Sequence, residues 1–320
     1  MTYETFQQEV LTALQRKHFN GITLELTQQP KRNSHTRYGI VFRNSRTNAS
    51  PVIYLEEFYA YYQMTGNFPE IIDILTYQYS CLPVIQVDKR KVSDFSHVRD
   101  RIIMKLINTE KNRTFLEFIP HIPFNDLSIV FYLIIETDCN RIFDKAVDYE
   151  MLKEWGVNVE TLHTHALVNY TRFFPIKLAS IEQQFLDMGF TVKEPNGQKN
   201  NGQEVQMSES SNSGMYYLSN RQKFYGAVLI TCKNLMDVIG NIFGENFYII
   251  PCSLHEILLL PESIAPSKEF LDMTIQDANQ SYLMPEEYLS DHAYYYNRKQ
   301  KNTTSFLLQN MFHHAVCNIF

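Results

Sequence analysis

Leu127-Ser-Ile-Val-Phe-Tyr-Leu-Ile-Ile-Glu136 is the stretch of the chain that decides the fold, because its residues from Ile129 to Ile135 are apolar without interruption. Such a run is typical of a strand covered on both faces, although periodicity alone does not separate it from a buried helix. We predict a central strand at 127–136, which turns at 137–140 and pairs with a second strand at 141–147.

On both sides of this stretch the hydrophobic period alternates between that of helices and that of strands, which predicts an α+β fold. We expect two strand-rich lobes, 1–147 and 148–320, each a mostly antiparallel sheet packed by helices. Helices are predicted at 2–18, 53–64, 69–79, 149–155, 159–171, 178–188, 234–243, 268–279 and 285–289. The remaining strands are predicted at 22–26, 38–42, 101–107, 215–219, 227–232, 247–251, 256–260 and 293–297. Both lobes then contain two strands, a helical segment and two more strands, an order that suggests a diverged ββαββ repeat.

The composition is that of a globular protein, because 44% of the 320 residues are hydrophobic and 13% are aromatic. The longest apolar run is far shorter than the roughly 20 residues of a spanning helix, and the first residues do not resemble a secretory signal. We therefore expect a cytoplasmic protein. Residues 194–214 are polar and of low complexity, so we predict a mobile surface loop there.

Charge is distributed unevenly along the chain. Residues 1–113 carry 15 Lys and Arg against 11 Asp and Glu, whereas residues 114–320 carry 14 against 24. No acid lies between Glu25 and Glu56, and this basic loop, 31–46, carries five positive residues: Lys31, Arg32, Arg37, Arg43 and Arg46. The loop is a candidate for binding a nucleic acid, although the acidic net charge of −6 weakens that interpretation. The alternative is a solvated hairpin tip.

Three stretches in the second half carry a resemblance to a known family. They are Met215-Tyr-Tyr-Leu-Ser-Asn-Arg-Gln-Lys-Phe-Tyr-Gly-Ala-Val-Leu229, Phe247-Tyr-Ile-Ile-Pro-Cys-Ser-Leu-His-Glu-Ile-Leu-Leu-Leu-Pro261 and Leu283-Met-Pro-Glu-Glu-Tyr-Leu-Ser-Asp-His-Ala-Tyr-Tyr-Tyr-Asn297. They resemble the clostridial family catalogued as domain of unknown function 5688. The resemblance implies an anaerobic Gram-positive bacterial source and genomic neighbourhoods with mobile elements, and it brings no established activity.

His255 and Glu256 form one candidate catalytic pair, between two predicted strands where a loop would expose them. A zinc protease would need a second His four residues after His255 in a helix, and Leu259 stands there instead. A His beside a carboxylate still has the chemistry of a general acid or base, and Asp291 is a further candidate. The alternative is a hairpin turn in which His255 and Glu256 have only structural roles.

Two further groups are candidates for binding a ligand. Asn220 and Arg221 lie in a predicted turn, whose backbone amides would suit a phosphate. Tyr294 and Tyr296 share one face of a predicted strand, where their hydroxyls or rings would meet a ligand or a base. Ordinary turn solvation and packing of the tyrosines are the alternatives.

Motifs for nucleotide, cofactor and metal chemistry are missing from the sequence, among them a Walker A loop, GxGxxG, GxSxG, an EF-hand and paired CxxC cysteines. We therefore expect no cofactor and no metal. The favoured hypothesis is a non-catalytic interaction factor with a protein partner, such as a mobile-element inhibitor of a host protein or nucleoprotein complex. The alternatives are a hydrolase of unfamiliar type using His255 and Glu256, and nucleic-acid binding through the basic loop.

Overall fold

A computed structural model of the protein describes residues 1–17, 19, 21–44, 47–48, 50–82, 88–137, 142–187, 191–192, 204–205 and 214–305. The chain divides into two compact units, Met1–Val98 and Arg99–Phe320. The boundary predicted at 147/148 falls inside the second unit, because segments on its two sides bind each other. The side chain of Asn169 donates hydrogen bonds to the carbonyl oxygens of Arg99 and Ile102, at 2.7 and 2.9 Å.

The first unit is a three-stranded antiparallel sheet with helices. Its helices are α1 (Tyr3–Arg16), α2 (Glu56–Thr65), α3 (Phe68–Ser80), α4 (Lys89–Val92) and α5 (Phe95–Val98), and its strands are β1 (Ile22–Pro30), β2 (Thr36–Asn44) and β3 (Val52–Tyr54), in the order β1-β2-β3. Phe6, Val10 and Leu14 are fully buried because the period of α1 places them on one face. The helix predicted at 53–64 begins later, since Ile53 pairs with Ile40 as part of β3.

The second unit contains a four-stranded antiparallel sheet around the predicted central strand. Its strands are β4 (Ile102–Asn108), β5 (His121–Phe124), β6 (Leu127–Thr137) and β7 (Ile142–Ala146), and three of them pair with β6. The first eight residues of β6 are all buried, which confirms a strand covered on both faces. Helices α6 (Arg113–Leu116), α7 (Tyr149–Trp155) and α8 (Val159–Phe173) follow in the same unit.

A six-stranded antiparallel sheet completes the second unit. Its strands are β8 (Ile176–Ser180), β11 (Tyr216–Asn220), β12 (Phe247–Pro251), β13 (Ile257–Pro261), β14 (Tyr294–Asn297) and β15 (Asn302–Ser305), in the order β15-β14-β12-β13-β11-β8. The helices beside these strands in sequence are α9 (Ile181–Asp187), α10 (Lys233–Phe243) and α11 (Lys268–Ser281). The described residues thus form three antiparallel sheets with helices, and the predicted α+β fold is confirmed.

Three further predicted elements differ from the structure. Gly226–Thr231 is a 3₁₀ helix and not a strand, so the second copy of the suggested ββαββ repeat lacks one of its strands. All four side chains from Ala227 to Ile230 are buried, and a fully buried apolar run carries no period that separates a helix from a strand. The first residues of the helix predicted at 178–188 belong to strand β8, and helix α9 begins only at Ile181. The helix predicted at 285–289 is a short 3₁₀ helix at Pro285–Glu287.

The loop predicted at 194–214 lies almost entirely outside the described residues. Its described part includes β10 (Glu204–Val205), which pairs in parallel with β9 (Thr191–Val192). Among the helices of the described ranges, none has the length and apolar character needed to cross a membrane.

Candidate functional site

His255 lies in the turn between β12 and β13, and its ring is held at both nitrogens. Nδ1 accepts a hydrogen bond from the backbone N–H of Tyr225 at 3.2 Å, and Nε2 lies 3.3 Å from Oε1 of Glu287. Since a neutral imidazole has one lone pair, the amide occupies the nitrogen that would take a proton. His255 therefore acts as a base only after the hydrogen bond to Tyr225 breaks.

Glu256 and Asp291 bind other partners. Glu256 accepts a hydrogen bond from the hydroxyl of Ser253 at 2.8 Å, and Asp291 accepts one from the side-chain amide of Asn279 at 2.9 Å. No hydrogen bond or ion pair within the described residues joins His255, Glu256 and Asp291 to one another. His255 and Glu256 thus lie in the same turn but bind different groups, and Asp291 lies in another segment.

A chain of charged and aromatic groups leads from the core to His255. Lys105 on β4 is 2% exposed, and its ammonium lies 2.7 Å from the carboxylate of Asp144 on β7. The same ammonium lies 3.7 Å from the ring centroid of Tyr132 and 3.9 Å from that of Tyr225. Both rings offer their negative faces to the cation, and this compensates part of its lost hydration.

Tyr225 connects this buried ion pair to the surface. Its hydroxyl donates to Asp144 at 3.2 Å, and its ring stacks on the ring of His255 with centroids 5.7 Å apart. We name the five linked residues the Lys105 chain: Lys105, Asp144, Tyr225, His255 and Glu287. The backbone of Tyr225 is left-handed, with φ 56°, a conformation that is uncommon for a bulky residue.

The side chain of Asn220 holds the turn that contains Tyr225. Its buried side chain donates to the hydroxyl of Tyr170 at 2.9 Å and to the carbonyl oxygen of Phe224, and its own oxygen accepts from the N–H of Phe224. Tyr170 in turn donates to the carbonyl oxygen of Tyr225 at 3.2 Å. Asn220 therefore shapes the turn.

The phosphate site predicted around Arg221 is not supported by these hydrogen bonds. The backbone N–H of Arg221 donates to Pro175, and that of Lys223 donates to Asn220. With the amide of Phe224 also occupied, three of the predicted amide donors bind within the protein. The exposed side chains of Arg221 and Lys223 are left as an ordinary charged turn.

Each of the three consecutive tyrosines of β14 donates its hydroxyl to a carboxylate. Tyr294 donates to Asp126 and Tyr295 to Glu262, both at 2.7 Å, and Tyr296 donates to Asp237. Tyr294 and Tyr296 are buried, and their rings lie on one face of the sheet as predicted. The pKa of Tyr294 is raised well above its usual value and that of Tyr295 is raised to about 12, and burial is the largest cause of both shifts. The hydroxyls of the three tyrosines are therefore already bound within the protein.

Asp126 is the centre of a second polar group in the second unit. Besides Tyr294, it accepts a hydrogen bond from Ser290 at 3.2 Å and lies 3.6 Å from Nε2 of His292. Ser290 also lies 2.9 Å from Nδ1 of His292. We name these four residues the Asp126 cluster: Asp126, Ser290, His292 and Tyr294.

The Asp126 cluster has the residue types of a Ser-His-Asp triad but not its geometry. In a triad the serine contacts only the histidine, and a substrate carbonyl reaches its oxygen. Here Ser290 contacts the carboxylate as well, and it is 1% exposed. The cluster instead connects the turn before β6 to the start of β14.

Burial makes His292 a source of pH-dependent stability. Desolvation lowers its pKa below the ordinary 6.5, although Asp126 and Asp272 oppose the shift. An unfolded chain then binds a proton that the folded chain does not, so the free energy of unfolding falls as the pH drops below about 6.5. We expect urea titrations to give a smaller pH slope between pH 7.5 and 5.5 for His292→Gln than for the wild type. Parallel slopes would contradict this assignment.

Two of the five basic residues of the 31–46 loop are paired with carboxylates. Because β1 and β2 extend to Pro30 and from Thr36, Arg37 and Arg43 lie on β2, outside the turn. Arg37 is 8% exposed and its guanidinium contacts Glu56 and Glu57, while Arg43 lies 2.7 Å from Glu25.

The other three basic residues of the loop are Lys31, Arg32 and Arg46. Lys31 lies over the ring of Tyr54 at 4.2 Å, Arg32 is in the turn, and Arg46 lies outside the described residues. Of the five basic residues, Arg37 and Arg43 are thus paired with carboxylates, and nucleic-acid binding stays a prediction.

Cys232 and Cys252 do not have the low thiol pKa that is typical of reactive cysteines. Burial raises the pKa of Cys232 to about 11 and that of Cys252 to about 12, so both thiols stay protonated at neutral pH. Within the described ranges, no group of three or more His, Cys, Asp or Glu side chains has a metal-binding arrangement.

Sequence reasoning missed Lys105 and Asp126, around which the polar groups of the second unit assemble. One signal was present, because Lys105 interrupts the apolar strand Ile102-Ile-Met-Lys-Leu-Ile107. A lysine inside a buried strand requires a partner of opposite charge. The partner, Asp144, lies beyond β6 in sequence and has no periodic signal of its own.

The fold and these polar groups define an α+β protein whose candidate catalytic residues stabilise turns and sheet contacts. The sequence profile of a family of unknown function, DUF5688, matches residues 3–298, and the chain belongs to this family. No curated protein and no solved structure matches the chain.

Proposed function

We propose that this protein is a non-catalytic interaction factor that binds a protein partner. The observation that carries the proposal is a concentration of exposed apolar side chains. Of the sixteen large hydrophobic side chains exposed among the described residues, five lie between residues 264 and 284: Ile264, Phe270, Met273, Tyr282 and Met284. Single exposed apolar residues are normal, and the concentration of five in one short segment supports an interaction site there.

The use of the candidate catalytic residues supports the same proposal. His255 needs its Nδ1 lone pair for the Tyr225 amide, and Glu256 and Asp291 face other groups. A hydrolase built on His255 and Glu256 would have to rearrange this turn before its first proton transfer. The geometry therefore favours binding over the alternative of hydrolysis.

The specific form of the proposal is a cytoplasmic accessory factor of a mobile element that inhibits a host protein or a nucleoprotein complex. A protein partner accounts for the exposed apolar groups, while the paired arginines of β2 give little support to direct contact with nucleic acid. The accessory role follows from the family resemblance.

The test is affinity purification with the full chain as bait, followed by reconstitution with the purified partner. We expect one protein at a fixed stoichiometry, and an interface that protects residues 264–284 from hydrogen exchange. His255→Ala should bind that partner as the wild type does. Turnover of an ester, peptide or phosphoester by the wild type that His255→Ala abolishes would overturn the proposal in favour of the hydrolase.

A further inference from the structure

We infer that the surface formed by α11 and the segments beside it is a docking site for a basic polypeptide segment with apolar anchors. We name it the α11 surface and define it by residues 262–291. The inference rests on the proposed function and deepens it, because it assigns the surface and the chemistry of the partner.

Helix α11 carries apolar side chains on two sides, and only one side packs in the core. Leu271 and Ile275 are buried, 6% and 4% exposed, and pack in the core. Phe270 and Met273 are 57% and 60% exposed, and their spacing of three residues places them on the opposite face. Paired apolar residues at this spacing are the anchors that a bound helix or peptide contacts.

The apolar surface continues beyond the end of the helix. Tyr282 follows the last residue of α11 and is 90% exposed, and Met284 is 38% exposed. Aromatic residues and methionine are enriched at protein interfaces, because they supply large contact areas and methionine adapts its shape. The segment therefore offers anchors over more than one helical turn.

Charge selects the partner of this surface. Residues 262–291 contain seven acids, and Lys268 is their only basic residue. The ammonium of Lys268 contacts Asp272 one turn further along the helix, so its charge is already compensated. Glu269 and Asp277 are exposed next to Phe270 and Met273, which gives the apolar anchors an anionic rim.

An anionic rim around apolar anchors fits a partner rich in lysine or arginine. Complementary charge steers such a partner to the surface and discriminates against acidic ones. Nucleic acids and anionic lipids would be repelled. A second copy of the chain is also disfavoured, since a symmetric dimer would place the same acidic patch on both sides of the interface.

The test uses three synthetic peptides of 18 residues and the full-length chain. The first peptide is an amphipathic helix of leucine and lysine, the second has serine for leucine, and the third has glutamate for lysine. Binding is measured by fluorescence anisotropy at low and high salt. The variants are Phe270→Ser with Met273→Ser, and Glu269→Gln with Asp277→Asn.

Val238→Ser with Ile242→Ser is the matched control, because these residues of α10 are 53% and 64% exposed. All substituted positions are on the surface, so we expect the melting temperatures to stay close to that of the wild type.

We expect the leucine–lysine peptide to bind the wild type and the α10 control equally. The Phe270/Met273 variant should bind it about tenfold more weakly, the value of one or two anchors. The Glu269/Asp277 variant should bind it several-fold more weakly at low salt and show a smaller loss at high salt. The two altered peptides should bind the wild type at least about tenfold more weakly.

Four results would overturn the inference. If the Phe270/Met273 variant binds the leucine–lysine peptide as tightly as the wild type does, these two side chains are not anchors. If the serine peptide binds as tightly as the leucine–lysine peptide, the binding is only unspecific charge attraction. A dimer that dissociates on Phe270→Ser with Met273→Ser would assign the surface to a second copy. If the affinity-purified partner also binds this variant unchanged, the inference fails while the proposed function stands, and if purification yields no partner, the proposed function itself fails.

Discussion

Replacing Lys105 with methionine is expected to lower the free energy of unfolding by roughly 3–5 kcal/mol, the usual cost of removing one partner of a buried ion pair. Lys105 is 2% exposed, and Asp144, whose side chain is 11% exposed, would keep a charge without its cation. Methionine fills a similar volume, so the loss reports the charge and not a cavity. The measurement is urea denaturation of the full chain, followed by circular dichroism.

Two further variants separate the ion pair from other effects of Lys105→Met. Adding Asp144→Asn removes the isolated charge and leaves an oxygen for the hydroxyl of Tyr225, so the double variant should recover about half of the loss. Lys111→Met is the matched control, because Lys111 is exposed and lies over the ring of Tyr288 at 3.3 Å. It should cost less than about 1 kcal/mol. Similar losses for Lys105→Met and Lys111→Met would show that burial of the pair contributes little.

The apolar periodicity of the sequence predicted the fold well wherever one face of an element is buried. Phe6, Val10 and Leu14 repeat at helical spacing and lie in the core. Where all faces are buried, an apolar run has no period that separates a helix from a strand. The run from Ile129 to Ile135 was rightly predicted as a strand and lies in β6, buried up to Ile134, whereas the strand predicted at 227–232 was wrong. Ala227 to Ile230 has the composition of a strand but forms a 3₁₀ helix, and the start of this helix is bound to a turn that is distant in sequence: the N–H of Gly226 donates to His255 and that of Ala227 to Leu254.

The polar sites were less predictable for a related reason. A local sequence pattern identified His255, Asp291 and Tyr294 as side chains capable of catalysis or ligand binding. Their roles depend on which groups the fold places next to them. Asp126 reaches Tyr294 across 168 residues, and Asp144 reaches Tyr225 across 81. Glu256, the sequence neighbour of His255, forms no described hydrogen bond or ion pair with it, and no spacing rule in the chain gives the pairs that do form.

A methyl group added at Gly226 is expected to lower the free energy of unfolding by an amount comparable to that of Lys105→Met. The N–H of Gly226 donates to the carbonyl oxygen of His255 at 2.9 Å, and the hydroxyl of Ser219 donates to the same oxygen at 2.6 Å. A Cβ on residue 226 would overlap that carbonyl oxygen and the Ser219 hydroxyl, and it would lie 2.8 Å from Cα of Ser219. These are backbone or backbone-anchored atoms, so no side-chain rotation relieves the overlap.

Gly226→Ala should therefore lower the free energy of unfolding by about 3 kcal/mol, the upper part of the range for overpacked cores. The control is Gly156→Ala, where φ is 66° and the space for a Cβ is open, so the loss there is only the conformational cost of about 1 kcal/mol. Because Gly226 follows Tyr225 directly, the displaced backbone should also weaken the hydrogen bond from the Tyr225 amide to His255. Urea denaturation measures both losses, and hydrogen exchange at the Tyr225 amide reports the second effect. Equal losses in the two variants would mean that the turn moves to accept the methyl group, and the Lys105 chain would then be less rigid than its contacts indicate.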